Sequence, residues 1–169
     1  AAEIVACLSP VITPVGVFVN ATVAEVADAS DCLGLRAAQL CGELPAGEWN
    51  TLSKMIHLIR VVSVGSQPPG EREVMEGVSD YLFDTLDPQT PGGSGRVFSW
   101  TVLEKTEFFP RVWLAGGLNS GNVGDAVRTV RPFAVDVSSG VEEGPGIKSA
   151  EKIEAFVRAV RVADEPARH

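Results

Sequence analysis

Six short runs of apolar and β-branched residues set the terms on which this chain can fold: VGVFV (15–19), LRAAQL (35–40), HLIRVV (57–62), DYLFD (80–84), RVWLA (111–115) and PFAVDV (132–137). Most are continuous rather than alternating, the pattern of strands covered on both faces, which is the condition of a parallel sheet. Helical patterns lie between them. Thr22-Val23-Ala24-Glu25 has the T-x-x-E form in which hydroxyl and carboxylate satisfy free amides at a helix start, so a helix begins there. Val123, Ala126, Val127 and Val130 recur at helical spacing, as do Ile153, Phe156, Val157 and Val160, predicting two helices with one buried face each. Strand centres about 20 to 30 residues apart fit a strand-loop-helix-loop unit repeated with right-handed crossovers. The class is α/β, and two architectures share the rhythm: a closed (βα)8 barrel and an open doubly wound sheet.

Other features narrow the partners. At 169 residues a single domain is the default. The net charge of -8 and the absence of a Lys/Arg cluster argue against nucleic acid, because affinity for it rests on grouped cations neutralising phosphates. No apolar run approaches the roughly 20 residues that cross a bilayer. The opening AAEIVACLSP lacks the basic start of a signal peptide, so a cytoplasmic protein without a membrane partner is expected. Cys7, Cys32 and Cys41 are odd in number and irregular in spacing, fitting neither a disulfide framework nor a C-x-x-C pair. With only His57 and His169, and no H-E-x-x-H or G-x-x-x-x-G-K-[ST] motif, triad hydrolysis, metal-dependent hydrolysis and nucleotide cleavage lose their support.

Chemistry-bearing residues gather at strand ends. The fifth run leads into Ala115-Gly116-Gly117-Leu118-Asn119, where glycines let backbone amides approach an anion. The sixth leads into Asp136-Val137-Ser138-Ser139-Gly140, adding hydroxyls and further amides. Either alone is equally a tight turn; as a consecutive pair they form a plausible phosphate grip of the kind found after the last two strands of a barrel. Asp84 closes the fourth run and reads either as a general acid or base at a barrel mouth or as a turn aspartate. The glycine- and proline-rich stretch 88–95 reads as a lid over a ligand or as a plain surface loop.

Longer motifs carry a resemblance. Val15-Gly-Val-Phe-Val-Asn20, Ala38-Gln-Leu-Cys-Gly42, Phe83-Asp84-Thr85 leading to Gly92-Gly-Ser-Gly95 and Phe98-Ser-Trp100, Ala115-Gly-Gly-Leu-Asn119 with Asn122-Val123, Arg131 through Glu142, and Gly144-Pro-Gly-Ile-Lys148 resemble, in order and spacing, the signatures of phosphoribosylanthranilate isomerase. The likeness covers roughly residues 14 to 160, and long ordered runs are more specific than one short motif.

The resemblance implies a (βα)8 barrel that carries out an Amadori rearrangement of N-(5'-phosphoribosyl)anthranilate in tryptophan biosynthesis, with no metal and no organic cofactor. It implies that Asp84 is the acid that opens the sugar ring. Gly116, Gly117, Leu118, Ser139 and Gly140 would hold the phosphate, Asp136 would lie near the substrate, and Gly93 and Ser94 would belong to the closing loop. The family's opening strand, with its base cysteine, and its second strand find no counterpart after Ala1. The expectation is therefore one partial barrel domain over 1–169: a helix remnant at 1–13, six parallel βα units at 14–162 and a tail at 163–169. Unpaired edges would be covered by missing N-terminal residues or by a second copy in a dimer. An indole-glycerol phosphate synthase domain fused ahead of the barrel would also explain the absent start methionine. The alternative function is a non-catalytic phosphosugar-binding or scaffold protein. A neighbouring phosphate-binding barrel is a third reading, and a metal-using epimerase would want histidines this chain lacks.

Overall fold

The computed structural model describes residues 1–85, 99–103, 106 and 109–165. Six parallel strands form one sheet: β1 (Val15–Val19), β2 (Ala37–Cys41), β3 (His57–Val64), β4 (Asp80–Thr85), β5 (Arg111–Leu114) and β6 (Ala134–Val135). Strand order follows sequence order from β1 to β6. A doubly wound sheet reverses its order at a switch point, whereas a barrel adds each strand beside the last. The order without reversal is the barrel type.

The chain divides into two compact units, Ala1–Val62 with Gly70–Leu82 and Ser63–Pro69 with Phe83–His169. In the first, α1 (Ala2–Ala6) is short and buries nothing. Helix α2 (Val23–Leu33) starts where the sequence places it. Thr22 Oγ1 accepts from the Glu25 amide at 3.3 Å, the Glu25 carboxylate accepts from the Thr22 amide at 2.8 Å, and Gly34 in the left-handed region ends the helix. Helix α3 (Ala46–Ser53) buries Trp49 and Leu52. These side chains, with Val26, Leu58, Ile59 and Tyr81, make this unit's core.

The passage from β3 to β4 departs from the expected repeat. Residues 65–79 hold only a single 3-10 turn, Glu71–Glu73, where a sixfold βα rhythm calls for a helix. Gly65, the run Pro68-Pro69-Gly70 and Gly77 interrupt any helical ladder there, so six complete βα units are not what forms. Side chains fasten the segment instead. Arg60 of β3, 3% exposed, stacks 5.0 Å from the Trp49 ring centroid and pairs with Glu73 at 2.8 Å, while the Tyr81 hydroxyl accepts the Met75 amide at 2.9 Å. At the start of the same strand, His57 Nε2 lies 2.7 Å from the buried Asp80 carboxylate.

In the second unit, Phe83 meets Phe109 edge to face at 5.0 Å, and α4 (Val123–Val130) buries Val123, Ala126 and Val127 as predicted. Helix α5 (Ala150–Asp164) corrects its expectation. Phe156 is buried, but Ile153 and Val157 remain 41% and 39% exposed, because α5 packs on α4 and the turn Ser139–Val141 and nothing described covers the rest of its apolar stripe. Strand β6 is shorter than its apolar run, since Arg131 turns through the left-handed region and Pro132 has no N–H for the ladder. A hairpin of β7 (Glu142–Gly144) and β8 (Ile147–Lys148) follows. Among the described residues no helix is long and apolar enough to cross a membrane.

Candidate active site

Three strand ends build the site, all within the second unit. The Ala115 amide donates to the Phe83 carbonyl and the Asp136 amide to the Leu114 carbonyl, both at 2.8 Å, so β4, β5 and β6 deliver their final residues to one rim. Asp84, Gly116, Gly117, Leu118, Asp136, Ser139 and Gly140 all line a single cavity of about 390 Å³ there. Gly93 and Ser94 lie outside the described residues.

Two glycines are required by contact. Gly116 has φ 83°, and a Cβ on it would press on the amide and hydroxyl of Thr85 and lie 3.0 Å from the Asp84 carboxylate. A Cβ on Gly140 would run into the Leu118 carbonyl oxygen. The loop after β6 thus lies directly on the loop after β5, and only a bare backbone fits at the contact.

The carboxyls are tuned by position. Burial holds the Asp84 carboxyl above its usual range, partly offset by the Thr85 amide that donates to Oδ1 at 2.7 Å. Asp136 is raised too, first by burial and then by the nearby Asp84 charge, with Lys148 pulling the other way. Part of the Asp136 side chain faces solvent across the open cavity, so its displacement is smaller than full burial would give. Glu142, also in the lining, is neutralised by Lys148 at 2.6 Å and held low by that contact. Asp84 and Asp136 remain as protonatable acids beside a surface of glycine and serine amides. Such a site can give a proton to an oxygen while gripping an anion. No group of three or more His, Cys, Asp or Glu side chains that could hold a metal occurs among the described residues.

An acid and an anion cradle on one barrel rim suit many sugar phosphates, and comparison with known proteins selects among them. The sequence profile of N-(5'-phosphoribosyl)anthranilate isomerase matches residues 2–159. The chain belongs to this family. The N-(5'-phosphoribosyl)anthranilate isomerase of Chlorobaculum tepidum is 42% identical over 172 aligned residues, which take in 97% of this chain and 78% of that protein. The crystal structure of phosphoribosyl anthranilate isomerase from Thermotoga maritima is 38% identical with a TM-score of 0.83, covering 95% of this chain and 78% of that one. A phosphoribosyl anthranilate isomerase crystallised with reduced 1-(o-carboxyphenylamino)-1-deoxyribulose 5-phosphate is 34% identical with a TM-score of 0.77, covering 95% and 77%.

Around this candidate site several contacts escape a reading of the sequence. Asn122, the residue before α4, does not cap its helix by side chain. Its Oδ1 accepts from the Asn119 amide at 2.8 Å and its Nδ2 donates to the Gly117 carbonyl at 3.0 Å, clamping the loop after β5. The Asn-x-x-Asn spacing is a local signal for such side-chain turns. Glu142 and Lys148 were visible only as members of longer motifs. The half-buried thiol of Cys41, at the end of β2, belongs to the first unit.

Proposed function

We propose that this chain carries out the Amadori rearrangement of N-(5'-phosphoribosyl)anthranilate to 1-(o-carboxyphenylamino)-1-deoxyribulose 5-phosphate, a step of tryptophan biosynthesis, with Asp84 as general acid. The observation that carries the reading is the raised Asp84 carboxyl in one cavity with Gly116, Gly117, Ser139 and Gly140. The Asp84 proton passes to the ribose ring oxygen as the bond from that oxygen to C1 breaks, and the nitrogen lone pair forms a C1–N double bond. A base then takes the C2 proton, and the electrons of that C–H bond make the enolamine, which tautomerises to the ketose. A carboxyl held above its ordinary range is protonated for a larger fraction of the time near neutral pH, which the first step needs. Backbone amides of the two loops hold the phosphate, and Asp136 lies beside the reacting carbons.

In this reading the six strands are the third to eighth of a (βα)8 barrel, and the base is a thiolate on the first strand. Two observations support that placement: Val15, Val17 and Val19 of β1 are exposed, and so is part of the apolar stripe of α5. The second reading, phosphosugar binding without turnover, is favoured by one feature, namely that the described cavity pairs an amide cradle with acids and supplies no thiolate.

One variant separates the two. In the full-length protein, Asp84→Asn should lower kcat at least a hundredfold, within the range of about 10² to 10⁴ for a general acid. Affinity for reduced 1-(o-carboxyphenylamino)-1-deoxyribulose 5-phosphate should change little, because an acid and not an anion-binding group has been removed. Turnover near the wild-type level in Asp84→Asn would take Asp84 out of the mechanism. A wild-type protein that binds the analogue yet turns over no substrate would establish the binding-only reading.

A further inference from the structure

Lys148 is absent from the lining of the cavity, yet it grips the segment that forms one wall. Its Nζ donates to the Ser138 carbonyl at 3.0 Å, to Ser138 Oγ at 3.3 Å and to Glu142 Oε1 at 2.6 Å. The same carbonyl accepts the Val141 amide at 3.4 Å. A peptide unit is planar and trans, so its C=O and N–H point in opposite directions. Drawing the Ser138 carbonyl toward Lys148 therefore turns the Ser139 N–H to the far side of that plane. Ser139 and Gly140, which follow, are lining residues.

We propose that Lys148 is a positioning residue for the substrate phosphate: it orients the Ser138–Ser139 peptide so that the Ser139 N–H, with that of Gly140, meets the phosphate oxygens. Glu142 is the second half of the device. It balances the lysine charge and, through the hairpin β7–β8, holds the ammonium group on the carbonyl side of the peptide. Lysine at this place acts on the anion through backbone geometry, not by contact. The inference rests on the isomerase reading above and adds a residue to which that reading gives no role.

Three forms of the full-length protein test it: wild type, Lys148→Met and Lys148→Arg. Dissociation constants for inorganic phosphate and for the reduced product analogue are measured by calorimetry, with KM and kcat from turnover. Lys148→Met should weaken both ligands and raise KM about tenfold, the scale of one charge-assisted hydrogen bond. Its kcat should stay within about threefold, since the general acid Asp84 is set by burial and the Thr85 amide and not by Lys148. Lys148→Arg, whose guanidinium can still donate to carbonyl and carboxylate, should recover most of the loss. Lys148 is partly exposed, and circular dichroism checks that both variants fold; if Lys148→Met does not, Lys148→Gln is read in the same way. Ligand affinities within twofold of wild type in Lys148→Met would overturn the proposal, as would a fall in kcat with KM unchanged. A wild-type protein that binds neither ligand would instead remove the isomerase reading itself.

Discussion

Asp84 stands at the end of a strand with its carboxyl held high by burial, and that has a cost the folded chain bears at neutral pH. A carboxyl raised in the folded state binds more protons there than in the unfolded chain between the two pKa values, so stability falls as pH rises through that window. Asp84→Asn removes the ionisable group. Its melting temperature should exceed that of wild type at pH 7, and the gap should close toward about pH 3, where the carboxyl is largely protonated in both the folded and the unfolded chain. Scanning calorimetry at the two values checks this, and a lower melting point at pH 7 would contradict it. Glu25 and Glu142, both held low, act in the opposite sense at more acid pH and cancel between variant and wild type. Gly140→Ala addresses the cradle. Its Cβ meets the Leu118 carbonyl, so the backbone must shift, at about 1–3 kcal/mol as for overpacking. Denaturant unfolding should show that loss together with weaker binding of the product analogue.

Among the elements, those set by local chemistry were legible in the sequence and those set by partners were not. β1 falls on its apolar run residue for residue, and α2 begins at its T-x-x-E box, because both signals lie within a few residues of the feature they specify. Asp84 and the two glycine loops were legible for the same reason. The helix expected between β3 and β4 fails because strand spacing counts residues without asking what they can form. The stripe on α5 announces an apolar face but not a neighbour to cover it. The Lys148 contact with Ser138 spans ten residues and needs the β7–β8 register, which no local pattern states. Where the helix is missing, the Arg60–Glu73 pair takes over, and its energetics are testable. Among the described residues Arg60 Nε and Nη1 have no hydrogen-bond partner, and Glu43 is 3.9 Å away. Glu73→Ala should therefore cost about 3–5 kcal/mol by leaving a buried charge without its partner, whereas Arg60→Met with Glu73→Leu should recover most of it. Urea unfolding of the three proteins decides; equal stability of Glu73→Ala and wild type would show that the pair fastens nothing.

For the molecule as a whole, strand order is the informative quantity, and it could not be read from apolar runs because runs do not say which strands are neighbours. What the order leaves is a sheet whose described first strand pairs only with β2. Val17 and Val19 of that strand are 62% and 69% exposed. An apolar strand with unsatisfied backbone groups is a template for association. The 169-residue chain on its own should form assemblies that grow with concentration, and Val17→Lys should reduce them without changing the helix content. Light scattering across a concentration series, with circular dichroism as control, measures both; a wild-type chain that stays monomeric throughout would refute the expectation.

The seating of Gly140 against the Leu118 carbonyl carries a lesson for anyone retuning this protein toward a different phosphorylated sugar. Libraries that vary one loop at a time will return mostly inactive clones, because the second loop is already shaped to the first. New specificity has to come from exchanging both together.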